Sequence, residues 1–444
     1  GLVAGSAADA ITSGTSTTRA AADTSTSAAK YLISAINGTV DIEATHTANF
    51  GGQVDSTQAS LVGASGASIS HSVVATVDAH MGDDAFVRAA NLTIAAHNIV
   101  HNYFLGETAA NTTTFDPDNG GWNVDSGSGG LVNLPAGSVA VNLIQNTTAT
   151  IGARADVHLM APTTGVSTLS MEAYNETISH QKVKLDSGGA IALADTDGEI
   201  NSVANATTSI GATGGVVVDI GDIALAAWGN ADLGARAAAT TYGLAGAPSG
   251  RAYATYFGTN NVTLGQNVRL EASDGIEPTN GTPPSSGTIA LSAGTGLDGT
   301  PETIKLATTV DLYNKTAIPI STTPDAQATV HSNGTVTVGS DDSALTPVLG
   351  GVYGVNAAGD ITLRGSRGNI DATAVGTGKD IYREELAKAA SAISNVFGGG
   401  DVTFDYHGGT VTKDGQGLVA INGLVDTGLQ RHKTITFDYA QNCD

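Results

Sequence analysis

One short pattern returns along most of the chain: an apolar residue, any residue, a second large apolar residue, any residue, then often alanine. It stands at Val40-Asp-Ile42-Glu-Ala44, Leu92-Thr-Ile94-Ala-Ala96 and Val157-His-Leu159-Met-Ala161. It recurs at Ile223-Ala-Leu225-Ala-Ala227, Val268-Arg-Leu270-Glu-Ala272 and Ile289-Ala-Leu291-Ser-Ala293. Shorter forms are Ile191-Ala-Leu193, Val262-Thr-Leu264, Ile304-Lys-Leu306, Val336-Thr-Val338 and Ile361-Thr-Leu363. Near the end, Val402-Thr-Phe404 and Ile435-Thr-Phe437 repeat it with a bulkier second residue. Alternation with a period of two marks a half-buried strand. The stretches between these strands are rich in Gly, Asn, Asp, Ser and Thr, which form turns. A chain built this way is mainly β, and the absence of strand–helix–strand alternation excludes a doubly wound sheet.

Composition narrows the choice. Glycine supplies 57 of 444 residues, aromatics only 5% and charged residues only 14%. Interiors filled by Val, Ile, Leu and Ala suit thin stacked β-structure better than the aromatic core of a sandwich. The reading is therefore a parallel β-helix, with tandem β-sandwiches as the alternative. Coils of about 25–30 residues would give about 15 layers and a rod of about 70 Å.

Within this scheme residues 1–379 form the solenoid body, with loop excursions near 107–135 and 274–288. The segment from Asp380 to Phe397 carries apolar residues at helical spacing (Leu386, Ala389, Ile393, Val396), an Asp at its start and three glycines after it. It is expected to be an amphipathic helix, followed by terminal β coils over 398–444. The most apolar stretch, Gly215 to Gly229, contains Asp219 and Asp222 and is too short to span a membrane. Its parity shifts by one residue at Gly221-Asp222. A corner there would keep Val216, Val218 and Ile220 inside together with Ile223, Leu225 and Ala227.

The runs GLVAGSAADA, VRLEAS, ATIGARADVHLMA and ITLRGSRGNIDATA resemble the filamentous haemagglutinin and leukotoxin-type filamentous adhesins, secreted bacterial surface proteins. The resemblance implies a right-handed parallel β-helix that serves in surface adhesion or filament building. The start of the chain has no basic segment ahead of an apolar core, as expected of a processed chain or an excised piece.

Charge and motifs bear on function. A net charge of −23 repels phosphate backbones, so no nucleic acid is expected, and no run of 18 or more uncharged apolar residues marks a membrane-spanning segment. The single cysteine, Cys443, permits no internal disulfide. No G-x-S-x-G elbow or phosphate loop occurs. The adjacent acids Asp83-Asp84 and Asp341-Asp342 could serve a polysaccharide-acting lyase or glycosidase, but they sit in turn-like sequence and are read as solvated turn acids. His97 and His101 are read as a structural or solvent-facing pair rather than metal ligands. Asp116, Asp118, Asp195 and Asp197 are weak calcium candidates in Asp-rich turns; no other cofactor is expected. Asn-x-Thr occurs at Asn37, Asn91, Asn111, Asn146, Asn175, Asn205, Asn261, Asn280, Asn314 and Asn333, which makes these asparagines glycosylation candidates. Together these features lead to the expectation of a non-enzymatic extracellular or cell-surface protein that self-associates into a filament or surface layer and contacts host surfaces or glycans.

Overall fold

In the computed structural model, residues 3–23, 31–103, 115–118, 121–162, 165–275, 286–339 and 354–380 are described. Beyond these, the backbone is described for 395–397, 400–404, 411–415, 419–421, 425–426 and 435–439. The described residues are overwhelmingly strand, with no helix among them. The ladder pairings between strands are all parallel. The fold is a parallel β-solenoid.

The recurring pattern is what stacks. Val40, Leu92, Leu169, Ile223, Ile289, Ile361 and Ile435 lie one above another in a single column. A second column runs Ile33, Val87, Val157, Val216, Leu270, Val355 and Val425. From Leu92 to Ile361 the first column is almost wholly buried. Burying each such side chain stabilises the fold by about 1.5–3 kcal/mol.

The coils are far longer than expected. Tyr31 faces Ala85, Phe86 faces Asp156, Asp156 faces Gly215, Gly215 faces Arg269 and Arg269 faces Gly354. One coil thus takes from 54 to 85 residues, and each coil contains several look-alike strands. The body is a broad stack seven strands deep, about 30 Å along its axis at roughly 4.8 Å per layer, not a 15-layer rod.

Two kinds of turn hold the register. Gly82, Gly152, Gly211, Gly265 and Gly339 form a column in which, from Gly152 on, each N–H donates to the carbonyl of the residue before the glycine one coil below (Gly152 to Met81, Gly211 to Ile151, Gly265 to Ile210, Gly339 to Leu264). A Cβ on Gly152 would lie 2.4 Å from the Gly82 carbonyl carbon, and one on Gly211 2.5 Å from the Ala153 nitrogen. Two residues on, Asp84, Arg154, Thr213 and Asn267 all adopt left-handed backbone, with φ of 58°, 58°, 57° and 52°. The same strained conformation recurs at one place in four successive coils because the layer below imposes it.

The second turn is the corner at Gly221. Its φ is +148°, and a Cβ there would overlap the Ser167 carbonyl at 1.8 Å. Asp222 accepts bonds from the Thr288 backbone N–H and hydroxyl, both at 2.8 Å. Val216, Val218, Ile223, Leu225 and Ala227 are buried on either side, as the parity shift predicts; Ile220 is only half-buried.

The interior is divided. One apolar cluster gathers Leu92, Ile94, Val157, Val216, Leu225 and Leu291; another gathers Val73, Val141, Leu143, Val183, Leu233 and Ile304. Each pass of the chain from one to the other carries small or polar inward residues midway: Asn98, then Asn175 and Thr177, then Gly229 on strands, then Glu302 just before the strand Thr303–Pro319. On the opposite wall Gln145, Thr147 and Asn260 occupy the corresponding stretch. These groups bond across the interior. The Thr147 hydroxyl donates to Asn175 at 2.6 Å, Asn98 donates to the Ala75 carbonyl at 3.0 Å and Gln145 to the Asn98 carbonyl at 2.9 Å.

Three expectations require correction. The helix over Asp380–Phe397 is not seen: Asp380 ends the strand Asn369–Asp380 opposite Asn314, and Asn395–Phe397 pair with Thr329–His331. A ladder edge with open hydrogen bonds overrides local helical spacing at both ends; the residues between lie outside those described. The excursion near 107–135 is in part a strand, Val124–Asn133, paired with both neighbouring coils. At Ile191-Ala-Leu193 the parity is inverted, with Ala192 inside and both larger residues exposed.

The glycine column yields a direct test. Gly152→Ala should cost about 1–3 kcal/mol, because backbone atoms block the new methyl. Gly188→Ala, where nothing lies within 4 Å, should change stability by less than ~0.5 kcal/mol. Denaturant midpoints of the two variants check both values.

Candidate functional site

The outer face where residues 91–103, 167–180 and 221–232 stack holds a bonded set of polar and aromatic side chains. Outward positions repeat every second residue, so His97 and His101, then Glu172, Tyr174 and Glu176, then Trp228, Asn230 and Asp232 project from one wall. His97 Nε2 meets Glu172 at 3.1 Å and His101 Nε2 meets Glu176 at 2.6 Å. The Trp228 indole N–H donates to the other Glu172 oxygen at 2.7 Å. The Tyr174 hydroxyl donates to Glu176 at 2.7 Å and accepts from Asn230 at 3.2 Å, and its ring lies 4.6 Å from that of Trp228. The His pair read from the sequence is therefore structural: each ring is engaged by a carboxylate of the next coil.

Electrostatics follow from these bonds. Burial pushes the Glu172 carboxyl up, but the bonds from His97 and Trp228 outweigh it and hold the group below the usual carboxylate value. The His101 bond, opposed by burial, likewise lowers Glu176. Burial and the adjacent Glu176 raise the Tyr174 hydroxyl. Both glutamates are held ionised.

Beside this wall lies a cleft of about 240 Å³. Glu176, Ile178, Asn230, Ala231 and Asp232 form one side; Thr300, Pro301, Thr303 and Lys305 form the other. Asp232 faces Lys305 directly across the ladder, yet its carboxylate bonds His180 Nε2 at 3.1 Å. Asn230 fixes the neighbouring coil by accepting from the Thr303 backbone N–H at 2.8 Å. His180 is buried because Phe115 folds back over it, with ring centroids 5.2 Å apart, and over Gly234, whose missing side chain makes the room.

The remaining sequence candidates are dispersed. Asp83 and Asp84 both engage Arg154 of the next coil, at 3.5 and 2.7 Å, and Asp83 accepts from the Ala153 backbone N–H. They fasten the glycine turn. Asp341 and Asp342 lie outside the described residues. Asp116 accepts the Asp118 backbone N–H, and Asp118 meets Arg236 at 3.2 Å. Asp195 accepts from Ser249, and Asp197 pairs with Arg251 at 2.5 Å. Each weak calcium candidate thus has a protein donor on its carboxylate, and among the described residues no group of three or more His, Cys, Asp or Glu side chains is arranged to hold a metal.

Of the Asn-x-Thr positions, Asn175 and Asn314 are enclosed, 1% and 0% exposed, and leave no room for a glycan in the folded coil. Asn37 is exposed; Asn91, Asn146, Asn205, Asn261 and Asn333 are half-buried on strands. Asn205 sits above Asn146 and donates to it at 3.0 Å, an asparagine ladder that accounts for two of the matches structurally. Asn111, Asn280 and Cys443 lie outside the described residues.

Sequence reasoning missed the wall and Glu302. This glutamate is fully buried in the seam, bonded by Asn260 at 2.8 Å and Tyr256 at 3.3 Å. Desolvation raises its pKa to about 8, against the lowering effect of those bonds. The only hint in the sequence was an acid two residues before the apolar Ile304.

No family model matches the chain, and neither a curated protein nor a solved structure matches it.

The buried acid gives a pH signature. Its folded value, about 8, exceeds its ordinary 4.5, so the stability it confers is fully present below pH 4.5 and is lost as pH rises to about 8. Glu302→Gln should flatten that slope by a few kcal/mol between these limits. Urea unfolding across the pH range reads it.

Proposed function

We propose that the chain is a structural and adhesive element of an extracellular or cell-surface assembly, in which solenoid bodies associate with further copies. The observation that carries this reading is the terminal edge. Among the described residues, Val3–Ala22, Tyr31–Phe50 and Val54–Ala59 hydrogen-bond to a neighbouring strand on one side only. Among the described residues no strand pairs with their other edge, and an open β-edge is a ready-made template for further β-pairing. Val3, Ile11, Leu32 and Ile36 are between 55% and 78% exposed there. The resemblance to filamentous adhesins favours the same reading.

The polysaccharide-acting alternative draws less support. General acid catalysis of glycoside cleavage needs one carboxyl held protonated beside an ionised one. The glutamates of the outer wall are both lowered instead, and Glu302, the carboxyl raised by burial, is sealed in the core.

Purified protein should form concentration-dependent end-to-end or lateral assemblies by electron microscopy and size exclusion. Placing charge on the open edge, as in Ile11→Lys with Ile36→Lys, should weaken association about tenfold or more while the fold persists. Dispersed single particles at high concentration would contradict self-association.

A further inference from the structure

We propose that the cleft between Asp232 and Lys305 binds a single neutral sugar ring, a hexopyranose unit of a surface glycan. The argument starts from an anomaly in the ladder. Asp232 and Lys305 are in-register neighbours of opposite charge, one strand spacing apart, yet no ion pair joins them. Asp232 turns to His180, and Lys305 is left at the lip of the cleft beside Thr303.

The lining selects the ligand class. Glu176 already has one oxygen on His101 and the other on Tyr174, so it contributes negative field more than free bonding capacity. That field and the net charge of −23 oppose a polyanion. The ammonium of Lys305, stacked between Asp232 and Asp371 with an ion pair to neither, disfavours a cation beside it. A sugar hydroxyl both donates and accepts, so one ring satisfies the acceptor Asp232, the donor Lys305 and the amide of Asn230 together. Ile178 and Pro301 offer apolar surface to the ring's C–H face.

Size sets the number of units. Sites for larger ligands occupy about 300–1,000 Å³, so about 240 Å³ holds one ring of a chain that continues along the open wall. Trp228 stands two residues from Asn230 on the same strand and supplies an intrinsic reporter.

The proposal deepens the adhesive reading by giving it a ligand; it rests on that reading only for its biological setting. The experiment titrates the intact chain with methyl hexopyranosides, with glucuronate and with spermidine, following tryptophan fluorescence and calorimetry. Saturable binding to a neutral hexopyranoside is expected, weakened at least tenfold by Asp232→Asn and by Lys305→Met. Lys184→Met, which removes an ion pair with Asp125 and Asp186 on another part of the wall, should bind as the parent does. Circular dichroism of each variant establishes that the fold is kept. Absence of saturable binding to any neutral hexopyranoside, equal binding by all variants, or binding of glucuronate or spermidine alone would overturn the assignment. Microscopy of assemblies on the same samples keeps the self-association reading separate, since either result can hold without the other.

Discussion

Every residue of a parallel solenoid must fit above and below the residues that share its column, and this stacking constraint governs the rest of the structure. Where the column is apolar, it admits Val, Ile or Leu in every layer, as from Val40 to Ile435. Where backbones close on one another at a turn, the column admits glycine alone, as from Gly82 to Gly339. The scarcity of aromatic and charged residues follows. A large side chain tolerated in one layer is rarely tolerated in the next; Tyr174 and Trp228 lie on the outer wall and Phe115 on a returning segment, while Tyr256 is enclosed in the polar seam beside Glu302.

Long coils create a second demand. A 54- to 85-residue coil encloses more cross-section than one apolar cluster fills, and the interior is partitioned into two clusters with a bonded polar seam between them. The seam carries buried polar groups that bond across the interior, including one carboxyl that remains neutral near pH 7 because burial disfavours its charge. Such a network specifies which columns face each other, since a one-layer slip would leave Asn175 and Thr147 without each other. The outer wall shows the same logic with ions. His97 and His101 on the wall, like Arg154 at the glycine turn, bond carboxylates of neighbouring coils, so these polar groups serve interlayer registration before they are available for ligands.

Much of this was legible in the residues. The period-two motifs mark strands that the structure stacks into columns, and the parity shift at Gly221-Asp222 located a corner fixed by a positive φ and a capping carboxylate. The coil length was not legible, because Ile223-Leu225-Ala227 and Val262-Leu264 look like successive layers and are in fact successive sides of one layer. The helix expected at 380–397 failed at its ends for a related reason: a neighbouring strand edge, invisible to local spacing, decides the backbone. The turn sequences MGDD, IGAR, IGAT and LGQN share only the glycine and the apolar residue before it, too short a signature to stand out in a glycine-rich chain. The candidate cleft was illegible, because its two sides come from strands some seventy residues apart whose adjacency depends on the register itself.

Register is therefore the claim on which everything else turns, and disulfide trapping between adjacent coils measures it most directly. In a Cys443→Ser background, Asn146→Cys with Asn205→Cys should oxidise rapidly to an intramolecular bridge, since the two positions are stacked partners about 4.8 Å apart. Asn142→Cys with Asn205→Cys, displaced by four residues or roughly 13 Å along the strand, should remain reduced under the same conditions. Equal oxidation of both pairs, or bridging of the displaced pair alone, would contradict the long-coil register and with it the columns, the seam and the cleft.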